Sequence, residues 1–391
     1  MLLQKLKLLL FPSILLITFD CSAQNKTVPK PISVDVASFQ NSAHHWYDIF
    51  DKSNVINPRP DQPKYKSTDL VSIGDNILLY QKDNGGWPKN YDMLAILTPA
   101  QKDSLLKVKN ILNTTFDNST TYSHIACLAT IYTATKLERF KTSALKGIDF
   151  VLSAQYKNGG WPQYYPLENN YSKAITFNDD NIAGIMTVLK NIKENGSEYS
   201  FVDKGRRKKV RLSFEKGLQC ILSTQINDTG KPTAWCQQYD EVTLQPTWAR
   251  AFEPPSICNA ESSGVVLLLM NIQNPSKQII AAVENAEAWF NEAEIHNTRV
   301  KTIAATDTLY RFRRSTTDKV IVNDPEAPPI WTRYYELKTH RPLFCNRDSK
   351  LVYSLAEVDR ERRDGYGWYT YEPQKVLNKY PAWHKKWAEN N

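Results

Sequence analysis

The sequence lacks the short motifs that mark several common enzyme classes. It contains no GxSxG of an α/β-hydrolase, no Walker A loop or GxGxxG for nucleotides, and no HExxH for zinc. Its six histidines are scattered, so nothing supports a histidine-based catalytic triad. These absences leave carboxylates, amides and arginines as the residues that could carry chemistry.

Cysteine is also scarce. The chain has six cysteines, of which one, Cys21, lies near the amino terminus. The other five are widely spaced, and no CxxC pair occurs. This pattern predicts neither a zinc site nor a dense disulfide framework. We expect most of these cysteines to be buried apolar thiols.

Long apolar runs are limited to one, which extends from Leu8 to Phe19. It follows Lys5 and Lys7 and precedes small residues near position 23, which is typical of a secretory signal peptide. The run is too short to span a bilayer comfortably, and no later stretch could span one. We therefore predict a signal peptide at 1–23, a single catalytic domain at 24–391, and an exported protein that is periplasmic or secreted.

The charge balance is basic. The formal net charge is +8, and removing residues 1–23, with two lysines and one aspartate, leaves about +7. A basic exported protein suits acidic polymers outside the cell, namely nucleic acid, anionic lipid or acidic polysaccharide. Charge alone also fits simple solubility, so it does not choose between these partners.

The chain repeats itself with a period of 74 residues, which separates Trp87 from Trp161 and Trp161 from Trp235. The approaches to these tryptophans are similar: 77-ILLYQKDNGGWP-88, 151-VLSAQYKNGGWP-162 and 221-ILSTQINDTGKPTAW-235. A helical pattern of apolar residues precedes each one. We interpret the glycine pairs as structural, since they allow a tight turn. Trp87 and Trp161 fit either sugar platforms or packing of the loops.

A second shared element follows each tryptophan. It is a cap rich in Asn and Asp before an apolar helix, as in 115-TFDNSTTYSHIACLATIY-132, 176-TFNDDNIAGIMTVL-189 and 257-ICNAESSGVVLLLM-270. Three such units in a row predict a mainly α fold, an (α/α)3 toroid or barrel built from three helical hairpins. From about residue 300 the pattern changes, and we expect short β-strands or extended loops in this C-terminal part.

The equivalent caps of a toroid would point to the same end. The polar residues of the first two caps, Asp117, Asn118, Asp179 and Asp180, could then converge although 62 residues separate Asp117 from Asp179. Clustered carboxylate and amide oxygens are ligands suited to Ca²⁺. Simple helix capping explains part of the same pattern, so spacing alone leaves both interpretations open.

Arginines accompany aromatic residues in two segments, 248-WARAFEPPS-256 and 331-WTRYYELKTHRPLFCNRD-348. Arginine grips carboxylates with two parallel hydrogen bonds, and aromatic faces stack on sugar rings. The combination favours an acidic sugar ligand. Glu253 and Glu261 could instead pair with an aspartate as the acid and base of a glycosidase, an alternative that the residues leave open.

Taken together, NGGWPQYYP…ITFNDDN, WARAFEPPS, CNAES and WTRYYEL…RPLFCNRD closely resemble pectate lyases of polysaccharide lyase family 10. The resemblance covers about 76–368. It implies calcium-dependent cleavage of polygalacturonate by β-elimination, which gives 4,5-unsaturated oligogalacturonides. It also implies an acidic polysaccharide as the partner, with no nucleic acid and no membrane span. We further expect a monomer.

By motif position, the resemblance assigns the catalytic base to Arg250 and the binding of substrate carboxylates to Arg333 and Arg347. The calcium ligands would be Asp117, Asn118 and Asp179, with Asp180 a weaker candidate beside them. An arginine base conflicts with the general rule that arginine stays protonated in proteins, so this assignment rests on the resemblance alone. Arg341 is expected to be structural.

Two other functions remain compatible with the sequence. One is an α/α-barrel glycoside hydrolase acting on uronides, with Glu253 or Glu261 in the catalytic pair; its products would lack the unsaturated chromophore. The other is a non-catalytic protein that binds acidic polysaccharide, which would bind the polymer and create no new chain ends.

Overall fold

The computed structural model describes residues 32–37, 54–311 and 313–388. The predicted signal peptide lies outside these residues and stays a prediction, as does the single domain that we place after it. By contacts the chain divides into a first unit, Met1–Ile32, of which Ile32 alone is described, and a second unit, Ser33–Asn391, to which everything below refers.

Ten helices occur in the described residues. In chain order they are α1 Leu70–Tyr80, α2 Pro99–Leu106, α3 Tyr122–Thr135, α4 Glu138–Ala154, α5 Asn181–Lys193, α6 Lys204–Ser223, α7 Asn259–Met270, α8 Lys277–Glu292, α9 Arg360–Gly365 and α10 Glu372–Trp387. None of them is long and apolar enough to cross a membrane.

Several helices form where the sequence supplies both a cap and an apolar face. The side chains of Asp203 and Ser276 accept hydrogen bonds from backbone N–H groups in the first turns of α6 and α8. The predicted apolar face of α4 is buried at Phe140, Ala144 and Ile148. Most of the stability of such helices comes from this packing rather than from intrinsic propensity.

The helices of the repeat pack in sequential pairs, α3 with α4, α5 with α6, and α7 with α8. The first members of these pairs, α3, α5 and α7, also pack side by side. Helix α1 packs on α3, and the C-terminal helix α10 packs on α7 and α8. The apolar residues between these helices form one continuous core.

The repeated tryptophans tie each loop to the helix before it. Trp87, Trp161 and Trp235 are fully buried, and their indole N–H groups donate to the carbonyls of Ile77, Val151 and Ile221 at 2.8–2.9 Å. A ring enclosed in this way cannot stack on a sugar. The interpretation of Trp87 and Trp161 as sugar platforms is therefore wrong, and packing of the loops explains their repetition.

Ten strands are also present in the described residues. They are β1 Ile175–Thr176, β2 Gln238–Tyr239, β3 Ile257–Cys258, β4 Thr298–Leu309, β5 Arg314–Asn323, β6 Trp331–Thr332, β7 Tyr334–Tyr335, β8 Pro342–Cys345, β9 Leu351–Val352 and β10 Tyr369–Thr370. Pairing is antiparallel throughout: β1 with β2, β4 with β5, β6 with β10, and a four-stranded sheet in the order β3-β7-β8-β9.

The prediction of a mainly α toroid of three hairpins is wrong. Helix accounts for only 43% of the residues that the structure describes, several antiparallel sheets accompany it, and a closed ring of three hairpins is not confirmed. Where we expected short strands or loops, β4 and β5 form a long hairpin with a register shift between Ala304 and Thr308. Two-residue strands such as β1 and β3 are too short to show a period-two pattern, so the sequence did not reveal them.

These short strands join successive copies of the repeat. The segment that precedes α3 bridges to the loop of the second copy, at Thr115 and Tyr164. In the same way, β1 before α5 pairs with β2, and β3 before α7 pairs with β7. Because each cap is anchored to the loop of the next copy, the polar N-terminal ends of α3, α5 and α7 lie at the same end of the repeat.

Candidate active site

A fourth copy of the loop completes this end of the molecule. Trp331 is fully buried, and its indole N–H donates to the carbonyl of Phe290 at 2.8 Å, as the three earlier tryptophans do. The four loops share the pattern W-x-x-x-Y, as 87-WPKNY-91, 161-WPQYY-165, 235-WCQQY-239 and 331-WTRYY-335. The third residue of the pattern is a long polar side chain in every copy: Lys89, Gln163, Gln237 and Arg333.

A cleft of about 710 Å³ opens beside these loops. Lys89, Gln163 and Arg333 line it. Six of the seven residues to which we assigned roles from the sequence also line it, namely Asp117, Asn118, Asp179, Arg250, Arg333 and Arg347. The structure thus brings together residues from segments up to 230 positions apart in the sequence. Their roles are not tested by this placement and stay predictions.

Asp117 sits at the buried floor of the cleft, with 3% of its surface exposed. The Lys89 ammonium donates to its Oδ2, while its Oδ1 is buried without a hydrogen-bond partner among the described residues. Burial disfavours the ionised carboxyl, but the charge of Lys89 outweighs this effect and lowers the pKa of Asp117. Asp117 is therefore a carboxylate with one oxygen left unsatisfied.

Asp179 faces Asp117 from the start of α5, and the two carboxyl groups interact directly. Its backbone is left-handed, with φ at 50°, and the Asn178 amide donates to its Oδ2 at 2.8 Å. The side chain is open to the cleft, whose walls nevertheless keep bulk water from surrounding it. Desolvation first, and then the negative charge of Asp117, raise the pKa of Asp179 to about 7.

The two remaining predicted ligands differ in their placement. Asn118 lines the cleft with a left-handed backbone, φ 49°. Asp180 does not line the cleft, because its Oδ1 lies against Gly264 on α7. It is also close enough to Glu372 and Lys375 of α10 for their charges to affect its pKa, which is raised chiefly by desolvation. The structure thus separates Asp180 from the other three candidates.

Arg250 is held by Glu253 through a tight pair of hydrogen bonds. Arg250 Nε and Nη2 donate to the two carboxylate oxygens at 2.8 and 2.5 Å, and its backbone N–H adds a third bond at 3.0 Å. Glu253 is 2% exposed and also accepts from the Tyr366 hydroxyl at 2.8 Å. Burial opposes the charge of Arg250, but the hydrogen bonds and charge of Glu253 outweigh it and hold the pKa of Arg250 above its ordinary value.

Arg333 and Arg347 enter the cleft on separate elements. Arg333 Nη2 donates to Asn178 Oδ1 at 2.7 Å and to Glu261, while its Nε is buried without a hydrogen-bond partner among the described residues. Arg347 donates to both oxygens of Glu361 at 2.7 and 3.0 Å. Arg341, expected to be structural, stacks on Tyr353 at 3.8 Å from the ring centre and does not line the cleft.

The residues that line the cleft and that the sequence analysis missed include Lys89, Gln163, Tyr171 and Arg362. Lys89 and Gln163 had a signal, the third position of the W-x-x-x-Y pattern. Tyr171 is 40% exposed and is the kind of open aromatic face that a sugar ring can use. Arg362 shares Glu361 with Arg347, and burial together with the Arg347 charge lowers its pKa.

The family of the chain follows from comparison with known proteins. The profile of the pectic acid lyase family matches residues 81–377, which include every residue that we place in the cleft. The chain belongs to the pectic acid lyase family. This confirms the family that the sequence motifs indicated, and with it the predicted activity of a polysaccharide lyase that acts on pectate.

Two solved structures of a family 10 polysaccharide lyase from Cellvibrio cellulosa are similar to this pectic acid lyase. A mutant in complex with trigalacturonic acid is 28% identical, with a TM-score of 0.67; the match covers 79% of this chain and 91% of the other. A second structure is 29% identical, also with a TM-score of 0.67, and the match covers 79% and 90%. No curated protein matches.

The lyase family also decides against the hydrolase alternative. Glu253 and Glu261, the two glutamates of that alternative, are 2% and 4% exposed and are engaged by Arg250 and Arg333. A glycosidase acid or base must reach the substrate or a water molecule beside it. In this pectic acid lyase, Glu253 borders the cleft with both carboxylate oxygens bonded by Arg250, and Glu261 does not line the cleft.

Proposed function

We propose that this pectic acid lyase cleaves polygalacturonate by calcium-dependent β-elimination and produces 4,5-unsaturated oligogalacturonides. The observation that carries the proposal is the direct contact of Asp117 and Asp179 in a cleft that Arg250, Arg333 and Arg347 also line. The trigalacturonic acid bound to the similar lyase from Cellvibrio cellulosa supports a galacturonate polymer as the substrate.

The residues present fit a divalent cation that the substrate helps to hold. Asp117 Oδ1 is unsatisfied, and the contact of Asp117 with Asp179 favours a cation once both carboxyl groups are ionised. Asn118 offers an amide oxygen in the same cleft. The described residues contain no group of three or more His, Cys, Asp or Glu that could hold a metal by themselves. Ca²⁺ takes six to eight oxygens, so substrate and water would complete its shell.

Asp117, Asn118 and Asp179 would hold the ion. When bound, Ca²⁺ supplies a positive charge at the galacturonate carboxylate, which acidifies the C5 proton and stabilises the charge that develops after its loss. Lys89 already contacts Asp117 Oδ2 and keeps this carboxylate ionised. The same ammonium group competes with a metal ion for Asp117 Oδ2, so Lys89 and a bound Ca²⁺ would have to share this carboxylate.

Arg333 and Arg347 would bind carboxylates of the substrate. Both reach the cleft with guanidinium groups that can make two parallel hydrogen bonds to a carboxylate. Arg333 is held by Asn178 and Glu261, and Arg347 by Glu361, so each is oriented before substrate arrives. Arginines fixed in this way lose little further entropy when they bind a ligand.

Arg250 would remove the C5 proton, and Glu253 is part of how it can do so. As long as Glu253 keeps it charged, Arg250 has no free electron pair. One guanidinium proton must therefore first pass to Glu253 along the 2.5 Å hydrogen bond, which leaves a neutral arginine beside a neutral carboxyl. The neutral Arg250 then takes the C5 proton, the C4–O bond breaks, and the departing oxygen takes a proton from solvent. Glu253 releases its proton to solvent, which restores the charged pair.

Polygalacturonate with the purified mature protein tests the function. We expect ultraviolet absorbance of the conjugated product to rise with added Ca²⁺ and to stop rising with chelator. New reducing ends without absorbance would indicate hydrolysis and contradict the proposal. A rise that continues in chelator would support β-elimination but contradict its dependence on calcium.

We also propose, from the sequence, where the enzyme acts and that it acts as a single chain. A polymer of this size cannot enter a cell intact, which agrees with export of the enzyme to the periplasm or the medium. We propose that the enzyme works as a monomer. Signal-peptide cleavage can be read from the amino terminus of the exported protein, and size-exclusion chromatography with light scattering gives its mass.

A further inference from the structure

The β4–β5 hairpin contributes an arginine to the cleft that no part of the proposed function uses. A hydrogen bond of 2.8 Å from the Tyr310 N–H to the Arg313 carbonyl closes the hairpin turn. Much of the hairpin is open to solvent, but Arg313 lines the cleft together with Arg347 and Arg362. An arginine placed there by the hairpin is a candidate for binding an anionic ligand.

Arg313 is oriented by an ion pair at the turn end of the hairpin. Its Nη2 donates to Asp364 Oδ2 at 2.6 Å. Asp364 also accepts hydrogen bonds from the hydroxyls of Ser315 and Thr317 on β5, at 2.6 and 3.0 Å. Three donors from the hairpin thus converge on one nearly buried carboxylate, which fixes the start of β5 and the direction of Arg313 relative to α9.

The cleft leaves room for this guanidinium at Gly365. A β-carbon at this position would clash with Nη1 of Arg313 and would come within 3.1 Å of Nη2 of Arg362. Gly365 itself lines the cleft. The absence of a side chain at residue 365 therefore allows two guanidinium groups, one from the hairpin and one from α9, to lie close together at the cleft surface.

Guanidinium groups gathered in this way can share a bound anion. Three arginines, Arg313, Arg347 and Arg362, share two carboxylates, Glu361 and Asp364. A ligand carboxylate placed beside the guanidinium groups of Arg313 and Arg362 would accept hydrogen bonds from them.

The arginine cluster extends from Arg250 towards Arg313. The guanidinium groups of Arg250, Arg347 and Arg362 surround the Phe252 ring, with their central carbons at 4.9, 5.1 and 4.7 Å from its centre. Arg313 adjoins this group through Gly365, on the side of Arg362. Arg313 therefore lies further from Arg250 than Arg347 and Arg362 do.

We propose that Arg313 forms an outer subsite, which binds the carboxylate of a galacturonate unit beyond those held beside Arg250 and so favours longer chains. The inference rests on the proposed function, because it takes polygalacturonate as the ligand. A chain too short to reach Arg313 gains nothing from this subsite, whereas a longer chain gains one more charged contact.

Arg313→Gln tests the subsite, since the amide can still donate to Asp364 but carries no charge. We expect KM for polygalacturonate to rise about ten-fold, the loss of one charge-assisted contact, with kcat nearly unchanged. KM for trigalacturonate should change much less. Arg313→Lys keeps the charge and should retain most of the affinity for the polymer.

Arg314→Gln is the matched control. Arg314 is adjacent in sequence, its side chain is 70% exposed, it pairs with Asp307 on the hairpin, and it does not line the cleft. Equal KM values in the two glutamine variants would overturn the proposal. Equal weakening by Arg313→Gln and Arg313→Lys would also overturn it, because it would indicate a structural role.

Affinity electrophoresis through polygalacturonate in chelator separates this proposal from the lyase mechanism. Wild type should be retarded more than Arg313→Gln, whether or not turnover is detected. If wild type is retarded but forms no unsaturated product, the proposed mechanism fails and the subsite stands. If wild type and Arg313→Gln migrate alike while wild type turns over, the subsite fails and the mechanism stands.

Discussion

The carboxyl groups of Asp117 and Asp179 interact directly although 62 residues separate them, and the fold gives the two groups opposite pKa shifts. Asp117 is kept ionised by Lys89, whereas the pKa of Asp179 rises to about 7 because it is desolvated and faces that ionised neighbour. A cation bound between the two carboxylates would offset the repulsion between their negative charges. Stability and calcium binding should therefore both depend on the ionisation of Asp179.

Without calcium, we expect the melting temperature to fall as pH rises from about 4 to about 7. In this range the folded state holds a proton on Asp179 that the unfolded chain has already released, so the free energy of unfolding decreases with pH. Asp179→Asn should flatten this part of the profile. Differential scanning fluorimetry in chelator at several pH values measures it.

Calcium should reverse the trend in wild type, since binding requires the ionised Asp179 and becomes stronger up to about pH 7. The matched control is Asp180→Asn, which changes the adjacent carboxyl that lies against Gly264 instead of the cleft. Calorimetric titration should show calcium binding in Asp180→Asn and its loss in Asp179→Asn. The opposite result would move the metal site to Asp180.

Glu253→Gln tests whether the carboxylate behind Arg250 accepts a proton. The amide preserves the shape of the side chain and can still accept a hydrogen bond, but it cannot take the proton that Arg250 must lose. We expect kcat to fall by about a hundred-fold or more, with KM nearly unchanged. The remaining activity should increase with pH, because Arg250 no longer has the carboxylate that raises its pKa.

Asp318→Asn is the control for Glu253→Gln. Asp318 makes an equivalent two-bond pair with Arg363, at 2.8 and 2.6 Å, and neither residue lines the cleft. Its loss should affect stability but leave kcat close to that of wild type. If Glu253→Gln behaves in the same way, Glu253 only holds Arg250 in place and the proton takes another route.

Part of this architecture could be predicted because similar loops recur at equal spacing. The 74-residue interval between tryptophans revealed three copies of the loop, but the fourth copy, at Trp331, lies 96 residues after Trp235. The β4–β5 hairpin falls between these two tryptophans and obscures the period. The two-residue strands that join the copies depend on contacts between distant segments, which no local pattern records.

The candidate site was predictable to a similar degree. The Asn- and Asp-rich caps identified Asp117 and Asp179, because such clusters exceed what helix capping requires. The same pattern could not separate Asp179 from Asp180, whose directions are set by the left-handed backbone at both residues. Arg313 carried no signal at all, since its role depends on the path of the hairpin.

Trp161→Phe distinguishes packing from sugar binding at the repeated tryptophans. Phenylalanine fills part of the space but cannot replace the 2.9 Å hydrogen bond from the indole N–H to Val151. We expect the free energy of unfolding to fall by about 1–3 kcal/mol, from the unpaired carbonyl and the smaller ring. Affinity for trigalacturonate should not change, and a large loss of affinity in a stably folded variant would contradict the buried placement.

Gly159→Ala and Gly230→Ala form a pair that separates backbone strain from crowding. Both glycines have positive φ, 97° and 88°, so alanine should cost about 1–2 kcal/mol of stability at either position. At Gly230 nothing lies within 4 Å of the new β-carbon, whereas at Gly159 it would clash with the carbonyl of Lys216 on α6. We therefore expect Gly159→Ala to lose clearly more stability than Gly230→Ala in urea unfolding. Equal losses would mean that the Gly159 loop can move away from α6, and that the glycine pairs serve only the turn.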